Sequence, residues 1–199
     1  MEIFTIGHST HPIERFVGLL EGQGVQVLAD VRSTPFSRFN PQFNREKLAK
    51  SLAANGIRYE FMGDALGARS TDPACHENGR VSYERLAESA VFRRGIEQLL
   101  STAGAERVAI MCAEKEPLDC HRTILVGRAL ERAHAGVRHI LADGSVEEHR
   151  QTMERLAGRL KLPTGDLFSG ATERLEAAYE LQGARMAYSP GKASASKKP

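Results

Sequence analysis

The sequence predicts an α/β fold, a three-layer sandwich around a mostly parallel sheet of about five strands. Three observations lead there. Val25–Val31 and Val108–Cys112 are almost unbroken apolar runs of strand length, the pattern of strands covered on both faces. Segments with apolar residues at helical spacing separate the strand-like runs, as in right-handed βαβ units. The 199 residues, 41% hydrophobic and 26% charged, suffice for a buried core and exclude an extended disordered chain.

The elements follow in order. Ile3–Gly7 reads as a short strand, and Ile13, Phe16, Val17 and Leu20 mark a helix that Pro12 opens and Gly22 and Gly24 stop. After the strand at Val25–Val31, Asn44 is placed to cap a helix carrying Leu48 and Leu52. Asn55-Gly56 ends that helix before an alternating strand, Ile57–Phe61. Ala65–Val81 reads as loop, and Tyr83–Leu100 as one helix. Beyond the strand Val108–Cys112, a helix from Cys120 to Ala133 precedes Val137–Leu141, which alternates like an edge strand. Ser145-Val146-Glu147-Glu148 reads as a capping box opening the next helix. The order implies winding of the Rossmann-like or flavodoxin-like kind. The α/β domain is expected to span residues 1–162, followed by an extension at 163–188 with a helix over Glu173–Met186, and a disordered basic tail at 189–199.

Composition narrows the partners. The 27 Lys and Arg against 25 Asp and Glu give +2, but the last eleven residues hold three Lys and no acid, so the rest is close to neutral. That disfavours a broad nucleic-acid-binding face, although a nucleic-acid partner is left open. No apolar run is long enough to cross a bilayer, and Met1-Glu2-Ile3-Phe4 enters a strand pattern, so a cytoplasmic protein with no membrane partner is expected. Three Cys in no repeated framework are expected to be reduced thiols. No C-x-x-C or H-x-x-x-H spacing, P-loop or dinucleotide fingerprint occurs, so neither a metal nor an organic cofactor is expected. A homodimer is left open.

In a parallel sheet, ligands bind beyond the carboxyl ends of the strands, and the residues at those ends are polar here. They include Gly7-His8-Ser9-Thr10, Asp30-Val31-Arg32-Ser33-Thr34, Gly63-Asp64, and Cys112-Ala113-Glu114 leading to Cys120-His121-Arg122. Thr5-Ile6-Gly7-His8-Ser9, Asp30-Val31-Arg32-Ser33 with Pro35 and Ser37, Asn40-Pro41-Gln42-Phe43, Gly56-Ile57-Arg58-Tyr59, Leu66-Gly67, and Met111-Cys112-Ala113-Glu114 with Cys120-His121-Arg122 together resemble the family called domain of unknown function 488, from the amino terminus to about Leu141. The resemblance implies a compact α/β domain with a shared polar site and no assigned reaction.

Cys120-His121-Arg122 is the strongest chemical candidate. With Asp119 as N-cap, Cys120 would lie in a first helical turn, where free N–H groups and the helix dipole favour a thiolate. Cys120 is then the nucleophile or redox thiol, His121 a proton carrier, and Arg32 with Arg122 an anion clamp. His8, Asp30 and Glu114 would orient groups, while Ser9 and Ser33 would add hydroxyls. Cys112 could pair reversibly with Cys120. The bland alternatives are a small buried Cys120, an Arg122 paired to Asp119 or Glu114, an Asp30–Arg32 structural bridge, and Ser9 or Thr10 capping the first helix. Arg45, Arg58 and Arg69 read as solvated, Cys75-His76 as incidental, and Phe36, Phe39 and Phe43 beside Arg38 as a packed lid or a stacking surface. The leading expectation is a thiol-dependent hydrolase or transferase acting on a small anion, a nucleotide or phosphate ester ahead of a carboxylate. The alternatives are a non-catalytic nucleotide or nucleic-acid binding module and a Cys112/Cys120 redox switch.

Overall fold

The structure is a computed structural model describing residues 1–163 and 170–189. A six-stranded sheet in the order β3-β2-β6-β1-β7-β8 forms the middle layer. Its strands are β1 (Glu2–Gly7), β2 (Val27–Asp30), β3 (Arg58–Phe61), β6 (Val108–Cys112), β7 (Gly136–Ile140) and β8 (Val146–Glu148). All neighbours are parallel except β7 and β8. The predicted parallel sheet is present, but its order departs from Rossmann and flavodoxin-like winding because β6 enters between β1 and β2.

The alternating inward residues explain the layers. Phe4, Ile6, Leu28, Ala109 and Met111 meet α1 (Ile13–Glu21) and α2 (Arg45–Ala53) through Phe16, Leu20, Leu48 and Leu52. On the other face, Ile3, Val27, Ala29, Val108 and Ile110 meet α3 (Gly63–Leu66), α4 (Tyr83–Glu88), α5 (Ala90–Ala105) and the helix following Cys120. That helix begins with a wide π-helical stretch, Arg122–Gly127, before α6 (Arg128–Arg132). The exits from β1 and β2 thus leave on one face and the exit from β6 on the other. The end of β6 lies between strands whose chains depart the opposite way, which is where a cleft opens in such sheets.

Several elements differ from expectation. Tyr83–Leu100 is two helices, because Ser89 turns the chain and its side chain caps α5 by accepting from the Phe92 N–H. The loop before it contains a hairpin, β4 (His76–Glu77) and β5 (Arg80–Val81), turned by Asn78 and Gly79 with φ of +50° and +73°. Cys75 is buried in the core. The Asn44 side chain caps no helix; its Oδ1 accepts from the Ser37 N–H. Pro12, with no side-chain cap, precedes α1, so Ser9 and Thr10 do not cap it.

At the far edge, β8 replaces the expected capping box. Val146–Glu148 pairs with β7, which is therefore not an edge, and α7 (His149–Arg159) starts only afterwards. The final helix, α8 (Gly170–Met186), packs on the domain, where Tyr179 and Ala178 join Leu118, Ile124, Met153 and Leu156. The expected tail lies outside the described residues except for Ser189, and so do residues 164–169 of the expected extension.

Candidate functional site

Four chemically active side chains meet at the end of β6. Cys112 ends the strand, and the loop after it carries Glu114 back across the sheet edge. A short 3-10 turn, Pro117–Asp119, then delivers Cys120. Both thiols donate to the same oxygen, Glu114 Oε2, Cys112 at 3.0 Å and Cys120 at 3.1 Å. His121 Nδ1 lies 3.5 Å from Cys112 Sγ. Its other nitrogen donates to the Val31 carbonyl at 3.0 Å, so Nδ1 is the nitrogen that faces the thiols, a donor when the ring is charged and an acceptor when it is neutral.

The expected capping arrangement is corrected. Asp119 does not cap the helix; it pairs with Arg159 at 2.6 Å. Cys120 itself holds the N-cap position, with extended backbone (φ −134°, ψ 139°) and a carbonyl accepting from the N–H groups of Thr123 and Ile124.

Electrostatics divide the two thiols. Burial opposes ionisation of Cys120, but its hydrogen bonding with Cys112 and the positive charges of Arg122 and His121 outweigh it and hold this thiol well below the ordinary range. Cys112 is pushed well up by hydrogen bonding with Cys120, then by burial and by the negative charges of Cys120 and Glu114. Loss of hydration around the carboxylate, followed by the charge of Cys120, raises Glu114. His121 is also raised: burial works against its charged form, and Cys120 and Glu114 overcome that. One proton leaves this group readily and the next is retained.

A cavity of about 460 Å³ opens over Cys112, lined by His8, Ser9, Arg32, Ser33, Phe36, Arg69, Glu114 and His121 among others. Cys120 is not part of its lining, and neither are Asp30 and Arg122. A larger groove of about 790 Å³ runs between α4, α5, α6 and α8, but it contains none of the four clustered side chains. Chemistry, not size, selects the smaller cavity.

The cavity wall is rigid. Arg32, 6% exposed, is held by both oxygens of Asp30, from Nε at 2.9 Å and from one terminal nitrogen at 2.6 Å, and it also donates to the Phe43 carbonyl at 2.8 Å. The Tyr59 hydroxyl donates to the same Asp30 at 2.8 Å. The remaining Arg32 nitrogen lies 3.1 Å from His8 Nε2, while His8 Nδ1 lies 2.8 Å from the Ser9 carbonyl. Since a carbonyl only accepts, Nδ1 carries the proton and Nε2 receives the Arg32 donor. Burial, with Arg32 nearby, lowers the His8 pKa to about 4, so this ring is neutral near pH 7. It stacks on Phe43 with centroids 4.3 Å apart. His8 therefore faces Arg32, and as a neutral ring it holds Arg32 in place.

Arg122 does different work from the clamp expected of it. It is 0% exposed and donates to the carbonyls of Glu114 (2.6 Å) and Lys115 (3.3 Å) and to Thr5 Oγ1 (3.3 Å), so it shapes the loop from behind. Gly7 makes room for this, since a Cβ there would lie 1.8 Å from the Glu114 carbonyl oxygen. From Thr5 a buried chain continues through His139 Nδ1 (2.7 Å), His139 Nε2 to His149 Nδ1 (2.9 Å), His149 Nε2 to the Tyr179 hydroxyl (2.6 Å), and Tyr179 to Glu131 (3.1 Å). Arg122 can only donate and ionised Glu131 only accept, so every proton in the chain points from Arg122 toward Glu131.

Residues 12–129 match the model described as domain of unknown function DUF488. The chain belongs to the DUF488 family. The DUF488 match spans Asp30, Arg32, Cys112, Glu114, Cys120, His121 and Arg122, whereas His8, His139, His149 and Tyr179 lie outside it. No curated protein and no solved structure matches the chain. Among the described residues no helix is long and apolar enough to cross a membrane.

Two residues of this site escaped the sequence reading. Arg69, read as solvated, is the exposed cation of the cavity lining, and its backbone N–H donates to Ser33 Oγ. Tyr59 bears on Asp30. Leu66-Gly67 just before Arg69, and Arg58-Tyr59 on β3, were the available signals.

Proposed function

We propose that this cavity is the active site of a thiol-dependent hydrolase or transferase acting on a small anionic substrate, with nucleotides and phosphate esters ahead of carboxylates. The observation that carries the reading is Cys112 in the cavity lining, its thiol within hydrogen-bonding reach of a carboxylate and an imidazole, with a second thiol on the same carboxylate oxygen. Cys112 is the reacting sulfur and Cys120 its charge reservoir, the reverse of the ranking that sequence position favours. Moving one proton from Cys112 into the group formed by Cys120, Glu114 and His121 creates the thiolate at the cavity.

That sulfur then bonds to the electrophilic phosphorus or acyl carbon as the leaving group departs with its electron pair. Glu114 or His121 returns a proton to the leaving group, and water or an acceptor hydroxyl releases the product. Arg69 and the Ser9 and Ser33 hydroxyls attract the anion, with Arg32 as the fixed positive wall. Phe36, 63% exposed in the lining, and nearby Phe39, 87% exposed, supply faces for a nucleobase, which favours nucleotides within the class.

The test is product release from a panel of nucleoside phosphates and simple phosphate esters, with alkylation of each Cys read by mass spectrometry. Cys112→Ser should lower turnover about 10³-fold and Arg69→Ala should chiefly raise KM. Full turnover in Cys112→Ser overturns the reading. Nucleotide binding that survives that change, with no turnover by wild type, favours the non-catalytic binding module instead.

A further inference from the structure

We propose that Cys112, Cys120 and His121, beside Glu114, form a binding site for one soft divalent cation of the zinc class. The sulfur atoms of Cys112 and Cys120 and a ring nitrogen of His121 all lie within 4.8 Å of one another, and all three residues are buried. Glu114 Oε2 is 3.0 and 3.1 Å from the two sulfurs, and His121 Nδ1 is 3.5 Å from Cys112 Sγ. Tetrahedral zinc, with bonds of about 2.3 Å to sulfur and about 2.0–2.1 Å to nitrogen, separates its donors by roughly 3.4–3.8 Å. The 3.5 Å between Cys112 Sγ and His121 Nδ1 falls in that range, and the three donors lie within 4.8 Å of one another, so a small inward shift of the side chains closes them around an ion.

A second observation points the same way. His121 is held by its Nε2 donating to the Val31 carbonyl, which fixes the ring and leaves Nδ1 free as a donor atom, the arrangement that supports a metal-bound imidazole. Two thiols and an imidazole are a zinc-class set and a poor one for magnesium or calcium, which take oxygen donors. Buried Arg122, on the Glu114 carbonyl, and the nearby Arg32 offset the charge of two thiolates and a carboxylate around a divalent ion. The donors come from a strand end, a loop and a helix start, so no linear spacing announces them.

The inference goes beyond the proposed reaction and does not depend on it. An ion in this set engages both sulfurs, so loading and attack by Cys112 exclude one another: the ion would hold the thiols in reserve, and a chelator would release them.

The experiment uses the full chain, purified reduced and metal-free, titrated with Co²⁺ and then Zn²⁺. Expected are one ion per chain by native mass spectrometry and thiolate-to-cobalt charge-transfer absorption displaced by zinc. Zinc should also suppress alkylation of Cys112 and Cys120, and EDTA should restore it. Cys120→Ser and His121→Ala should each weaken zinc binding by more than the roughly 10–100-fold that loss of a supporting partner costs, while Cys75→Ser should bind as wild type. Should either ligand variant fail to fold, the alkylation measurement on wild type decides alone. Alkylation of both thiols at the same rate with and without zinc, or a cobalt spectrum without thiolate absorption, overturns the metal site. Zinc uptake without turnover of any phosphate substrate by the metal-free protein sinks the thiol-enzyme reading alone, and turnover without zinc uptake sinks the metal site alone.

Discussion

His139 Nε2 and His149 Nδ1 lie 2.9 Å apart in the interior, one ring donating to the other, with both side chains almost inaccessible to solvent. Neither ring can take a second proton without placing donor against donor or leaving a buried charge without a counter-ion. Burial lowers His149 to about 4, and burial with the neighbouring His149 pushes His139 well down.

The sign of the pH dependence follows. Between about pH 6.5 and about pH 4 the unfolded chain binds protons at these rings that the folded chain refuses, so stability falls as pH falls through that window. From His149 alone, about 2 kcal/mol should be lost between about pH 7.5 and about pH 5. Urea unfolding at the two pH values, on wild type and His149→Gln, checks this; an equal loss in both proteins would refute it.

Breaking the Asp30–Arg32 pair should be costly. With 0% and 6% of the two side chains exposed, Asp30→Ala leaves a buried guanidinium without its carboxylate and should destabilise by about 3–5 kcal/mol. It should also free Arg32 from its fixed position beside His8. A thermal or denaturant midpoint unchanged from wild type would contradict the assignment.

Gly7→Ala should damage the site as well as the fold. The new methyl would collide with the Glu114 carbonyl, which is backbone and held by Arg122, so the loop must shift. A loss of about 1–3 kcal/mol is expected, with faster alkylation of Cys112 as Glu114 moves away. Wild-type stability and alkylation in this variant would show that the close approach is dispensable.

Arg122→Lys should not be conservative. A single ammonium cannot reach both carbonyls and Thr5 Oγ1 together, so at least one buried acceptor loses its donor. About 1–3 kcal/mol should be lost, with a change in hydrogen exchange spreading to the His139 and His149 segments through Thr5. Exchange changes confined to the Glu114 loop would disconnect Thr5 from Arg122.

The sequence made the sheet legible where burial is two-sided: Val108–Cys112 reads as a strand because nothing polar interrupts it. Ser145–Glu148 misled because its capping pattern is local, while the pairing of Val146 with Ile140 is a tertiary contact that overrides it. Ala65–Val81 reads as loop because it is too polar to look like strands, although Asn78-Gly79 within it is a dipeptide that suits a hairpin turn. The site residues were legible as types and as strand ends. Their division of labour was not, because which of Cys112 and Cys120 meets the cavity, and whether Arg122 or Arg69 faces outward, depends on how separate elements pack.

The position of β1 has a consequence for how the molecule is made. This strand leaves the ribosome before the rest of the sheet, and both its neighbours, β6 and β7, are more than a hundred residues downstream. Until Ile140 has been synthesised the strand cannot be fully paired, and the nascent chain must carry an apolar segment without its partners. Pairings between such distant stretches close large loops and slow folding. Because the His8 N–H, just past the end of β1, donates to the Cys112 carbonyl at the end of β6, the cavity cannot close until β6 has been made and paired.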